Sequence, residues 1–160
     1  MHVILAAIGR LKKGPEQELV ARYAARLSKT GRAIGISEFS TLEFAESRAA
    51  TAELRKAEEA ELLLSRLPQG HSIFAFDERG NMPTSRKFAN YVSSELDTGT
   101  SALALIIGGP DGLHESVRQQ AKKTIALGGV TYPHQIVRIL VLEQMYRATT
   151  ILTNHPYHRD

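Results

Sequence analysis

Residues 103–113, with the sequence LALIIGGPDGL, decide what kind of fold this chain adopts. Five apolar residues run directly into three glycines and a proline. A continuous apolar run that is bounded by turn residues predicts a buried strand, covered on both faces. Gly108, Gly109 and Gly112 permit a backbone path that a side chain would block, at the strand end where open α/β sheets bind ligands. The alternative at this point is an ordinary tight turn.

The rest of the chain alternates strand and helix patterns around this segment. Strands are predicted at residues 2–8, 33–39, 71–76, 101–107 and 124–127, and helices at residues 15–27, 43–67, 85–96, 114–123 and 134–148. Five such alternations predict an α/β fold with a mainly parallel sheet and helices on both faces. No linker or repeat interrupts the pattern, so residues 1–160 are expected to form a single domain.

The composition is typical of a cytoplasmic protein. The 160 residues are 42% hydrophobic and include no cysteine, which fits a reducing compartment. The apolar run at residues 3–8 is too short to span a membrane and lacks the flanks of a signal peptide. The net charge of +3 permits an anionic partner without requiring one. Apart from a cluster at Arg10, Lys12 and Lys13, the basic residues are scattered, which is more typical of a solvated surface than of a nucleic-acid footprint.

The last predicted helix, residues 134–148, has no wide polar face. A helix that is apolar all round must be buried on all sides, whereas a helix at the end of a small domain usually keeps one solvent face. A homodimer interface therefore explains this helix better than complete burial within one chain. Glu143 and Arg147 are four residues apart and can pair along it.

A second glycine-bearing turn, residues 128–131, follows the last predicted strand. In a parallel sheet this turn and the turn at residues 108–112 would lie at the same edge, where they could enclose a small ligand mainly with backbone groups. The chain has no Walker lysine, no GxGxxG motif and no Gly-x-Ser-x-Gly elbow. The six histidines show no metal-binding spacing, so no metal is expected.

The last eight residues, TNHPYHRD at 153–160, concentrate functional side chains. Chain ends are often disordered, which is one interpretation of this segment. The other is a tail that folds over the ligand site and supplies hydrogen bonds and positive charge to an anionic substrate. We therefore take four residues as catalytic candidates: His155, Tyr157, His158 and Arg159.

The chain contains three specific motifs in a fixed order: IIGGPDGL at 106–113, TYPHQIVRILVLEQMYRA at 131–148 and TNHPYHR at 153–159. It also contains VILAAIGRLK at 3–12 and FDERGN at 76–81. With these motifs the chain resembles the RlmH family of SPOUT methyltransferases. The resemblance implies a C-terminal trefoil knot, a homodimer and binding of S-adenosyl-L-methionine in the knot. It also implies methylation of N3 of a pseudouridine in the helix 69 loop of 23S rRNA, within the assembled 70S ribosome.

Carried over by position, the resemblance places the methyl donor against eight residues: Phe76, Gly108, Leu127, Gly128, Gly129, Val130, Thr131 and Tyr132. This chain departs from the family at Ala126 and Gly128, where the family commonly has serine, so both hydroxyls are missing. Methyl transfer needs the donor and the acceptor nitrogen in line, and it needs no metal. A carboxylate, water or one of three histidines, His134, His155 and His158, would take the N3 proton. Arg138, Arg147 and Arg159 are expected either to bind rRNA phosphates or to cap and pair within the dimer.

Two other functions stay open. A Rossmann-type nucleotide-binding enzyme would need a glycine fingerprint and an acidic ribose partner, and the sequence has neither. A catalytically inert ribosome-binding protein would keep the fold without the reaction, and the missing hydroxyls at Ala126 and Gly128 favour it. Binding of S-adenosylmethionine separates the methyltransferase from both.

Overall fold

The computed structural model describes residues 1–159 and places five parallel strands in one sheet. The strands are β1 (His2–Ile8), β2 (Glu38–Phe44), β3 (His71–Asn81), β4 (Ala102–Ile107) and β5 (Lys123–Ile125). The helices are α1 (Pro15–Thr30), α2 (Ala52–Ser65), α3 (Ser85–Asp97), α4 (Glu115–Gln120) and α5 (His134–Leu152). The strand order across the sheet is β2-β1-β4-β3-β5. The apolar run at residues 103–107 therefore lies in the central strand, β4.

Helices cover both faces of the sheet, as the alternating pattern predicts. On one face, Leu5, Leu103 and Leu105 pack with residues of α1, α3 and α5. On the other face, Ile8 and Ile106 pack with residues of α2 and α4. All six residues of β4 are buried because the strand is covered on both sides. The predicted α/β class with a parallel sheet is confirmed.

The second strand does not lie at residues 33–39. Residues Gly31–Ile34 form a short 3-10 helix, and Gly35 then adopts a left-handed conformation with φ 92°. Ile36 is buried beside Gly31, where any Cβ would lie 3.0 Å from the Ile36 Cβ. The chain therefore turns before the strand begins at Glu38. The predicted long helix at residues 43–67 likewise begins only at Ala52, where the Thr51 side chain accepts a hydrogen bond from the Leu54 N–H.

Helix α5 packs between α1 and α3 and is buried along much of its length. Val141, Leu142, Met145 and Ala148 are completely buried. Ile136, which lies away from this stripe, is only partly buried. The predicted homodimer through this helix stays a prediction. Within residues 1–159, no helix combines the length and the apolar character that a membrane span requires.

Candidate functional site

A cleft of about 600 Å³ opens at the carboxyl edge of the sheet. It lies where the pairing of β3 with β4 ends, at Phe76 and Ile107. Three segments supply most of its lining: residues 76–79 in the second half of β3, the turn at residues 107–113, and the loop that leads from β5 into α5. The two glycine-bearing turns predicted to share one sheet edge do meet here.

The first wall of the cleft is the turn that follows β4. Gly109 and Gly112 form an antiparallel bridge, and the Gly112 N–H donates to the Gly109 carbonyl at 3.0 Å. A Cβ on Gly108 would lie 2.8 Å from the Gly112 carbonyl carbon, and Gly112 itself has φ 84°. The glycines are therefore needed to close the turn as well as to leave room for a ligand.

The second wall is the loop between β5 and α5. Leu127, Gly128 and Thr131 line the cleft from this side. The position of a Cβ on Gly128 lies 3.4 Å from the Tyr132 hydroxyl, an ordinary contact. Val130 is 65% exposed and Tyr132 is 37% exposed, although both are large apolar or aromatic side chains. The loop thus places exposed apolar and aromatic side chains at the opening of the cleft.

The third wall is a bulge in β3, where the sequence predicts a simple turn after Phe76. Both Phe76 and Asn81 pair with Ile125, so the intervening residues loop out toward the cleft. Gly80 makes this possible, because a Cβ there would lie 2.5 Å from the Ile125 backbone nitrogen. Asp77 is among the looped-out residues and becomes a cleft residue that the sequence analysis missed.

Asp77 pairs with Arg118 of α4 at the base of the cleft. The Arg118 Nη1 lies 3.1 Å from the Asp77 Oδ2, and the Arg118 Nε lies 3.1 Å from the Glu115 Oε2. Both side chains of the Asp77–Arg118 pair are nearly buried, at 7% and 12% exposure. Burial lowers the pKa of Arg118, but the hydrogen bonds to Glu115 and Asp77 outweigh it and hold that pKa above its ordinary value. This ion pair fixes the bulge of β3 to α4.

His134 and Arg138 stand one turn apart at the start of α5. The Arg138 side chain is completely buried, donates to the carbonyls of Ile8 and Gly9 at 2.7 and 2.6 Å, and pairs with Glu43. Arg138 therefore pairs within its own chain. His134 lines the cleft, and burial and the Arg138 charge lower its pKa, so it is neutral at pH 7.

The tail lies against α5, and none of its described residues, 153–159, lines this chain's cleft. Asn154 adopts a left-handed conformation, with φ 53°, and ends α5. The Tyr157 ring then packs 4.6 Å from that of Tyr146, and its hydroxyl donates to Glu143 at 3.0 Å. Burial raises the pKa of Tyr157, and its hydrogen-bonded neighbours raise it further.

The predicted pair of Glu143 and Arg147 is present and holds the tail from the helix side. The Arg147 Nε donates to the Glu143 Oε1 at 3.0 Å. The Arg147 Nη1 lies 3.4 Å from the His158 Nδ1. His155 and Arg159 are exposed. The catalytic role predicted for the tail residues stays a prediction, as does a place for Gly129 in the donor site, since Gly129 lies outside the lining.

Seven of the eight predicted donor-binding residues line the cleft: Phe76, Gly108, Leu127, Gly128, Val130, Thr131 and Tyr132. Apolar side chains and backbone groups, together with charged side chains of both signs that include Asp77, Glu78, Arg79 and Arg118, suit a small ligand that has a flat ring and polar groups. In residues 1–159, no three His, Cys, Asp or Glu residues are grouped so that they could hold a metal ion.

The chain matches a known family model over nearly its whole length. Residues 1–158 match the model described as "Predicted SPOUT methyltransferase". This chain belongs to the SPOUT methyltransferase family. The resemblance carried by the glycine turn, the last helix and the tail is thereby confirmed, and with it the fold class.

Similar SPOUT proteins include close relatives with one common name. The chain is 50% identical over 159 residues, 99% of each chain, to the Ribosomal RNA large subunit methyltransferase H of Rhizobium johnstonii. It is 48% identical over 160 residues, 100% of each chain, to the protein of that name from Brucella anthropi. A solved structure, a probable methyltransferase from Bordetella pertussis Tohama I, has a similar fold. It has a TM-score of 0.52 and 16% identity, over 92% of this chain and 95% of that one.

Proposed function

We propose that this SPOUT methyltransferase transfers a methyl group from S-adenosyl-L-methionine to N3 of a pseudouridine in the helix 69 loop of 23S rRNA. It acts on the assembled 70S ribosome, in the cytoplasm, as a single-domain protein with a C-terminal trefoil knot. The observation that carries the proposal is the cleft in which the glycine turn after β4 meets the loop before α5. The names of the relatives, which are about 50% identical over the full chain, support rRNA as the substrate.

The cleft residues fit the donor. A volume of about 600 Å³ lies within the range of small-ligand sites. Phe76 and Leu127 offer apolar surface for an adenine ring, and the loop at residues 126–132 offers backbone groups to its edge. Glu78 adds a carboxylate to the lining that could attract the positively charged groups of the donor, whereas the Asp77 carboxylate is already paired with Arg118. When bound, S-adenosylmethionine supplies an activated methyl group, so the protein itself needs no nucleophile.

Positioning accounts for much of the expected rate enhancement. The Asp77–Arg118 pair and the Gly109–Gly112 bridge hold two walls of the cleft rigid, which keeps a bound donor in one orientation. His134 is neutral at pH 7 and lines the cleft, so it can accept a proton. Among the three histidines weighed for the N3 proton, it is the one in this chain's cleft.

The tail is proposed to act across a homodimer. Asn154 and the Tyr157–Glu143 bond direct the tail along α5, outside the cleft of its own chain. If α5 is paired with its copy in a partner, the tail of each chain can reach the partner's cleft. His155, Tyr157, His158 and Arg159 then serve the reaction there, with Tyr157 as the anchor.

The inert ribosome-binding protein is the second candidate, and one observation favours it. Ala126 and Gly128 lack the hydroxyls of the family's serines, so any side-chain bond to the donor from these positions is lost. The cleft nevertheless stays open beside Gly128, and the backbone of that loop still lines it.

The experiment that tests the proposal is methyl transfer from labelled S-adenosylmethionine to 70S ribosomes that lack the modification. We expect one methyl group per 23S rRNA, mapped by mass spectrometry to N3 of a pseudouridine in helix 69. Binding of the ribosome without transfer would establish the inert alternative instead. Transfer to another nucleotide would refute the proposed position and leave the methyltransferase activity standing.

A further inference from the structure

The basic residues Arg10, Lys12 and Lys13 lie in the loop that joins β1 to α1. Because β1 and β4 are parallel neighbours, with Ala7 paired to Ile107, this loop and the glycine turn leave the sheet at the same edge. A Cβ on Gly109 would lie 2.9 Å from the Ile8 side chain. The basic loop therefore begins next to the wall of the cleft.

The basic side chains face solvent without anionic partners. Arg10, Lys12 and Lys13 are exposed, as is Arg48 in the loop that follows β2. Within residues 1–159, none of these four side chains takes part in the ion pairs that the structure contains. Segments 9–14 and 45–51 together contain these four basic residues and a single acidic residue, Glu46. These two loops therefore carry a local surplus of positive charge on a protein whose net charge is only +3.

The start of the loop is held in place by the buried Arg138. Its guanidinium binds the carbonyls of Ile8 and Gly9 and also pairs with Glu43 at the end of β2. The Gly9 N–H donates to the Phe44 carbonyl at 2.7 Å, which ties the same point to β2. The clamp comes from α5, the helix whose first residue, His134, lines the cleft. The position of the basic loop is thus coupled to the position of the cleft.

A cationic loop that is fixed beside a cleft suits a polyanion that must present one of its groups to that cleft. Phosphate contacts set the register and orientation of a bound nucleic acid and carry most of its salt-dependent affinity. We propose that residues 10–13 form a phosphate-binding arm that grips the rRNA backbone next to the target nucleotide. This inference rests on the proposed function and names the surface by which the protein holds its rRNA substrate.

The test compares two triple variants that remove the same charge. The first, Arg10→Ala with Lys12→Ala and Lys13→Ala, removes the three positive charges of the proposed arm. The control, Lys29→Ala with Arg32→Ala and Arg66→Ala, removes three exposed charges from the opposite edge of the sheet, where α1 and α2 end. Binding of each protein to 70S ribosomes is measured between 50 and 200 mM salt, and binding of S-adenosylmethionine is measured by calorimetry.

We expect the arm variant to bind ribosomes about tenfold more weakly and to lose about 2–3 from the slope of log K on log salt. Its donor affinity should equal that of the unmodified protein, because the three side chains do not line the cleft. The control should match the unmodified protein in both measurements. Equal ribosome affinity and slope for the arm variant, or equal losses in the two variants, would overturn the inference. If the unmodified protein methylates ribosomes in that case, the proposed function stands. If the unmodified protein neither binds nor methylates ribosomes, both the inference and the proposed function are wrong.

Discussion

The carbonyl carbon of Gly112 lies so close to Gly108 that a Cβ atom on Gly108 would be 2.8 Å away from it. Contacts that short are not tolerated against backbone, so the turn would have to shift. Gly108→Val should therefore lower the free energy of unfolding by about 1–3 kcal/mol and weaken donor binding through the same distortion. Urea denaturation and calorimetry measure the two effects.

Gly129→Ala is the control for this prediction, because a Cβ at Gly129 meets nothing within 4 Å. Its stability should equal that of the unmodified protein. A Gly108→Val protein that is as stable as the control would show that the turn is looser than the structure indicates.

The Asp77–Arg118 pair should contribute strongly to stability. Arg118→Met would leave the Asp77 carboxylate nearly buried without its guanidinium, and removing one partner of such a pair costs about 3–5 kcal/mol. The loss should be measurable by urea denaturation, and donor affinity should fall because the β3 bulge is no longer held.

The double variant Asp77→Asn with Arg118→Met serves as the matched control. It removes the uncompensated charge, so it should recover a large part of the stability that Arg118→Met loses. Equal stabilities of the single and double variants would show that no buried charge was left unpaired.

His134 should make the stability of the protein depend on pH. Burial and Arg138 lower its pKa in the folded state, so between the folded value and about 6.5 the unfolded chain binds more protons. Stability therefore falls as the pH drops below about 6.5. His134→Gln should lose less stability than the unmodified protein between pH 7.5 and pH 5.5, as measured by urea denaturation at each pH.

At pH 8 the histidine is neutral in both states, so the difference between the two proteins there gives the baseline. A difference that stays constant from pH 8 to pH 5.5 would show that protonation of His134 has no part in stability.

The tail should serve the reaction more than the fold. Tyr157→Phe keeps the ring contact with Tyr146 and loses the bond to Glu143, which should cost about 1 kcal/mol. Removing residues 154–160 should lower Tm by a few degrees, since the Tyr157 contacts are lost, reduce donor affinity modestly and nearly abolish methylation of ribosomes.

The two tail variants together separate anchoring from chemistry. Thermal melts and single-turnover methylation are measured for both. Methylation at the full rate by the truncated protein would place the catalytic groups around Gly108, Thr131 and His134 instead.

The fold followed from sequence wherever one physical signal was dominant. Residues 103–107 are apolar without exception, and the structure makes them a central strand that is buried on both faces. Residues 33–39 alternate well enough to predict a strand, but Gly35 takes a left-handed conformation that ends the pattern before the strand begins. Single-residue backbone conformations of this kind depend on packing, here of Ile36 beside Gly31. Periodicity does not report such packing.

The glycine-bearing turns of the site could be predicted from the sequence. The ion pairs and hydrogen bonds between residues far apart in sequence could not. The turns at residues 108–112 and 128–131 carry their own composition signal, and both line the cleft. Asp77 and Arg118 are 41 residues apart in sequence, and only the bulge at Gly80 brings them together. In the sequence, Arg138 interrupts an apolar helix. In the structure its side chain is fully buried, because it donates hydrogen bonds to carbonyls 129 and 130 residues away.

Calorimetric titration with S-adenosylmethionine measures whether the cleft beside Gly128 holds the methyl donor. Gly128 lines the cleft without a strained backbone, so Gly128→Leu adds a side chain there, whereas Gly128→Ala adds only a Cβ at ordinary contact distance from Tyr132. We predict one donor molecule per chain for the unmodified protein, similar affinity for Gly128→Ala and at least about a tenfold loss for Gly128→Leu. No binding by the unmodified protein, or equal affinity for a folded Gly128→Leu protein, would contradict the account.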